Sequence, residues 1–184
     1  MDDRHIKKKK QHKRDTWPVT AFFLTFGLAL LFSFFSETTL LGVSMPVAVA
    51  VLFFIVLVGI LADIIGVSVT VEDVTAYTAM ASKKIRGARR SIALVQNAGR
   101  VSNICNDVVG DICGIVSGAM GAAIVGRLVA GAGETETLVC NILISALIAA
   151  FTVGGKALGK RLALDHSHRI VFTTAKILSV FDKF

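Results

Sequence analysis

Proline occurs only twice in 184 residues, so long stretches are free to be helical; a proline inside a helix removes a backbone donor and breaks it. The three cysteines, Cys105, Cys113 and Cys140, are odd in number and contain no C-x-x-C pair. A disulfide framework and a cysteine-based zinc site are thereby disfavoured, and packing roles remain. No segment alternates apolar and polar residues as a half-buried strand does, and no internal repeat or low-complexity linker stands out. Catalytic signatures are missing as well: there is no glycine-flanked serine nucleophile, no H-E-x-x-H and no phosphate-binding loop. "HSH" at His166 to His168 places two imidazoles at i and i+2, where helical side chains diverge. "GGKALGKR" lacks the P-loop spacing, and its glycines read as a helix break at the end of an apolar run. An enzyme is not expected.

What is abundant is apolar surface. Hydrophobic residues make up 54% of the chain and mean hydropathy is +0.70, well above a soluble domain. A bilayer core requires roughly 20 mainly apolar residues per helix, and residues 17–35, 46–67, 104–130 and 138–155 each offer such a run. The expected fold is an all-α integral membrane protein with four transmembrane helices. The leader "MDDRHIKKKKQHKR" precedes an apolar run too long for a signal peptide, and "FFSETTLL" is no cleavage site, so the first run stays as an anchor.

Lysine and arginine are retained on the cytoplasmic side, and their placement is one-sided. They crowd the leader, the loop with Lys83, Lys84, Arg86, Arg89, Arg90 and Arg100, and the tail from Lys156 onward. The other two connections carry only Arg127 against Glu37, Glu134 and Glu136. Both termini are therefore expected in the cytoplasm, with the protein in the cell membrane and the net charge of +7 drawn to anionic lipid rather than nucleic acid. Within the basic loop, Val74, Tyr77, Ala81, Ile85, Ala88, Ile92 and Val95 recur at spacings of three and four, which predicts one amphipathic juxtamembrane helix. Ile170, Val171, Thr174, Ile177, Leu178 and Phe181 draw a second such face near the C-terminus.

Ionisable groups inside a bilayer are costly and need partners. On an ideal helix Asn103, Asp107, Gly110, Asp111, Gly114 and Gly118 share one face. Gly110, Gly114 and Gly118 form a small-xxx-small ladder that would admit another helix closely and favour a homodimer. Asp63 and Lys156 lie at similar depth. Asp63, Asn103, Asn106, Asp107 and Asp111 offer the carboxylate and amide oxygens that suit a hard cation such as magnesium. A plainer reading stays open beside it: Asp107 is solvated or caps the helix start, and Asp111 or Asp63 neutralises Lys156.

The order of parts also resembles a known family. An apolar span leads through "VSVTVEDVTA" to a basic helix ending "ARRSIALVQNAGR", then a glycine-rich span containing "GDICGI", then a span ending "GGKALGKRLALDHSHRI". This is similar to the transmembrane domain of the CNNM/CorB/CorC magnesium and cobalt transport and efflux proteins. "ALVQNAGR" keeps Ala93, Leu94, Asn97 and Arg100 of the family's A-x-x-L-L-E-N-P-E-R pattern, and Gly155, Lys160 and Arg169 match the frame of its last span. Lys156 and Gly159 replace the acid and proline of G-E-x-x-P-K, Asp111 stands where G-N-x-x-x-N has its first asparagine, and Ser68, Glu72 and Asp73 match the acidic turn only loosely. The resemblance implies three parts: a basic cytoplasmic leader at 1–16, an additional transmembrane helix and external loop at 17–45, and the family's transmembrane domain at 46–184. It also implies divalent cation transport, a homodimer, and a separate regulatory chain in place of the family's cytoplasmic CBS domains. The alternative is a degenerate, non-transporting membrane scaffold or partner subunit with a structural Asp–Lys pair, in which Lys156 holds or gates the former metal position.

Overall fold

A computed structural model describes residues 17–131 and 133–181; the basic leader lies outside them. Every regular element among the described residues is a helix. In chain order these are α1 (Trp17–Gly42), α2 (Met45–Val71), α3 (Val74–Ser82), α4 (Ala88–Gln96) and α5 (Ala98–Ser102). A π-helical segment (Asn103–Gly110) then runs directly into α6 (Asp111–Leu128), followed by α7 (Glu134–Asp165) and α8 (Ser167–Phe181).

Three helical stretches, not four, are long and apolar enough to cross a membrane among the described residues: Met45–Val71, Ala98–Leu128 and Glu134–Asp165. The fourth expected crossing falls on α1, whose described apolar part is the shorter Val19–Leu31. Helix α7 extends well past the expected end at 155: Gly154, Gly155 and Gly159 lie inside it and do not break it.

Those glycines instead set how closely α7 approaches α2. A Cβ on Gly155 would run into Ile60, and one on Gly159 would come within 2.7 Å of Ile64 Cγ1. One turn further, Ser68 Oγ donates to Ile64 O at 2.8 Å and reaches Ala163 O at 3.5 Å. Gly155, Gly159 and Ala163 thus form a ladder at i, i+4 and i+8 against Ile60, Ile64 and Ser68. Small residues at this spacing let two backbones close and gain dispersion contacts where lipid gives no hydrophobic drive. Gly121 does the same for α6, where a Cβ would strike Ile148 of α7.

The amphipathic stretch from Val74 to Val95 is two helices, α3 and α4, not one. The apolar spacing runs on through Ala81, Ile85 and Ala88, but the backbone turns at Lys84 (φ 55°) and Gly87 (φ 97°). Glycine adopts that left-handed region without strain, while lysine adopts it at a cost. The reversal folds α3 and α4 against each other and against α8, around buried Val69, Tyr77, Val95 and Val171. A second core of Ala48, Val108, Ile112, Val116, Met120 and Ile124 holds α2 to the π segment and α6. At the opposite end, Arg127 Nη1 donates to Val43 O at 3.3 Å and satisfies a carbonyl in the turn between α1 and α2.

Candidate functional site

Asp63 is a carboxylate about two turns before the C-terminal end of the most apolar helix, and it is buried, with 5% of its surface exposed. Its neighbours explain how. Lys156 of α7 brings Nζ to 3.2 Å from Oδ2 and 3.4 Å from Oδ1, so the ammonium straddles both carboxylate oxygens. On the other side the π segment presents Gly110, where a Cβ would sit 2.6 Å from Asp63 Oδ1 and 3.2 Å from Lys156 Nζ. Only a residue without a side chain leaves room for the pair. Gly155, adjacent to Lys156, lets α7 approach closely enough for the lysine to reach.

The π segment decides which residues join this centre. A π turn holds an extra residue compared with an α turn, so Asn103 and Asp107 within the segment lose the face they would share with Gly110 and Asp111 on an ideal α-helix. Gly110 is buried against the ion pair, whereas a Cβ on Gly114 or Gly118 would meet nothing within 4 Å. Asp107 and Asp111 are exposed and Asn103 is half-buried. Lys156 is therefore neutralised by Asp63, the second of the two partners the sequence allows. Asn106 points inward: its Nδ2 donates to Ser102 Oγ at 3.1 Å, its Oδ1 is buried without a partner, and its amide presses on Gly66 of α2. Among the described residues no three His, Cys, Asp or Glu side chains cluster as a metal site. The oxygens gathered near α2 are those of Asp63 and Asn106, while Asp107 and Asp111 face outward.

A second polar cluster is built on Glu72, the residue that caps the C-terminal end of α2. Glu72 accepts hydrogen bonds from Tyr77 Oη at 2.8 Å and from Ser167 Oγ, and His168 Nδ1 lies 3.4 Å from the same carboxylate. The imidazole stacks on the Tyr77 ring with centroids 4.8 Å apart. This clasp ties α2, α3 and α8 together around the chain's single, fully buried tyrosine. In the sequence Glu72 stood only as a loose match to an acidic turn, and His168 only as half of a poor metal motif. Their meeting across |i−j| above 90 residues leaves no local signal. Burial first, then the Glu72 carboxylate that accepts its proton and repels its anion, push the Tyr77 phenol well above its ordinary range.

Tyr77→Phe should therefore lower stability by about 1 kcal/mol through the lost hydrogen bond, seen as a lower unfolding midpoint at neutral pH. A raised folded-state pKa contributes stability that is complete below the unfolded value near 10 and is lost as pH rises through the folded value. The gap between wild type and Tyr77→Phe should accordingly hold through neutral pH and close in strong alkali.

Asp73, once the companion candidate to Glu72, is exposed and accepts the Thr75 hydroxyl at 2.8 Å. Comparison with protein families, with curated proteins and with solved structures finds no match to this chain.

Proposed function

We propose that the chain is an integral membrane protein that moves cations, with magnesium the first candidate, through the polar centre around Asp63. The observation that carries this reading is the composition of that centre. It combines a buried carboxylate, the half-buried ammonium paired with it, and a buried amide oxygen without a partner on a π segment. Buried ion pairs contribute little net stability, ionisable groups at membrane depth mark ion pathways by default, and π segments collect at functional sites. Lys156 is 22% exposed at its side chain while Asp63 is 7% exposed. The lysine can therefore swing toward solvent and release both carboxylate oxygens to an incoming ion. Oxygen from Asp63 and Asn106 with retained waters suits a hard cation. The resemblance to CNNM/CorB proteins agrees with this reading, with Lys156 acting as a gate. Gly114 and Gly118, beside exposed Asp111, offer a face for a second copy.

Reconstituted into proteoliposomes, the protein should speed magnesium or cobalt uptake over empty vesicles, and Asp63→Asn/Lys156→Met, which removes the carboxylate without stranding the ammonium, should abolish the difference. Equal flux with and without protein would overturn the reading. It would leave the second one, a scaffold or partner subunit, which is favoured by the fact that Lys156 already neutralises Asp63.

A further inference from the structure

The break between α3 and α4 does more than reverse the chain. It builds a pocket of about 350 Å³ lined by Ala81, Lys84, Ile85, Arg86, Gly87 and Arg89. Helix α8 packs against its edge. The backbone of Lys176 on α8 lies against Gly87, with its Cα 3.4 Å from where a Cβ would be. Among the described residues none of Lys84, Arg86, Arg89 or Lys176 has a carboxylate within ion-pair distance. Helix α4 starts at Gly87 with no side-chain cap, so its positive end adds to the same field. Like charges gathered this closely repel one another, and Lys84 is also held in a left-handed conformation. An anion seated among them relieves that repulsion.

We propose that this pocket holds the phosphate of an anionic phospholipid. The phosphate offers oxygens to the two guanidinium forks, which match its geometry. The surroundings favour a lipid over a free phosphate. Ile85 in the pocket is 40% exposed, and Ile177 and Leu178, which follow Lys176 on the adjoining α8, are 56% and 42% exposed, apolar surface suited to acyl chains. The turn between α3 and α4 follows Val71, the end of apolar α2, and so falls on the headgroup side of that helix in the membrane reading on which this proposal rests.

The test is native mass spectrometry of the purified protein from nanodiscs of equal phosphatidylglycerol and phosphatidylcholine. Wild type is compared with a Lys84→Gln/Arg86→Gln/Arg89→Gln triple variant and with a Lys160→Gln/Arg161→Gln control, whose basic residues lie on exposed α7. Wild type and control should retain phosphatidylglycerol over phosphatidylcholine by about tenfold, and the triple variant should retain both alike. Equal loss in the control would overturn the proposal, since the charge belt as a whole would then be responsible. Displacement of the lipid by millimolar inorganic phosphate would overturn it in favour of a soluble ligand. Carbonate extraction of the expressing membranes separates the two levels: release of the protein refutes the membrane reading itself, whereas retention with no lipid preference refutes only the pocket.

Discussion

Asp63→Asn should be among the most damaging single substitutions in the apolar bundle, lowering stability by about 3 kcal/mol. The cost does not measure the worth of the ion pair. It is the penalty of leaving Lys156 as an uncompensated ammonium against α2, packed between Asp63 and Gly110. Adding Lys156→Met should therefore recover most of the loss, because an apolar side chain of similar length fills the space without a charge. Lys156→Met alone should be damaging too, since it strands a carboxylate that is 7% exposed. Thermal unfolding of the two singles and the double in one detergent checks this as a double-mutant cycle. Losses that simply add would show that the two groups are not coupled.

The second large effect is expected at Gly110. Alanine there places a methyl group 2.6 Å from Asp63 Oδ1, 3.2 Å from Lys156 Nζ and 3.4 Å from the Cys105 carbonyl. Neither the carbonyl nor the bonded pair can retreat without cost, and overpacking of this kind costs about 1–3 kcal/mol. Gly114→Ala and Gly118→Ala meet open space within the protomer, and alanine is the better helix former by about 1 kcal/mol. Those two should leave the unfolding midpoint unchanged or raised, and Gly110→Ala should lower it sharply. If the three behave alike, Gly110 is not the residue that makes room for the ion pair. Should Gly114→Ala and Gly118→Ala disrupt a cross-linked dimer while sparing the monomer, the open face is where copies meet.

The long apolar segments were legible because twenty apolar residues have few other destinations, and the amphipathic faces of α4 and α8 were legible from their three-and-four spacing. Which glycines bring helices together was not. Gly110-xxx-Gly114-xxx-Gly118 and Gly155-xxx-Gly159-xxx-Ala163 carry the same signal, and sequence alone favoured the first. Gly110, the last residue of the π segment, faces the ion pair, Gly114 and Gly118 on α6 meet open space, and the α7 ladder makes the close α2 contact instead. The turn at Lys84 to Gly87 was hidden for a related reason: Ala81, Ile85 and Ala88 keep helical spacing across it, and only the left-handed backbone reveals the break. The oxygen candidates divided the same way. Asp63 and Asn106 turn inward and Asp107 and Asp111 turn outward, a division fixed by helix register.

The central claim is that Lys156 and a cation compete for the Asp63 carboxylate, and magnesium titration by calorimetry and thermal shift tests it most directly. Wild type should show saturable stabilisation, and Lys156→Met should bind at least about tenfold more tightly, since a unit positive charge at this distance opposes the ion. Asp63→Asn/Lys156→Met, folded but without the carboxylate, should show no response. Magnesium stabilisation of equal strength in wild type, Lys156→Met and the double variant would contradict the account and move any ion site away from Asp63.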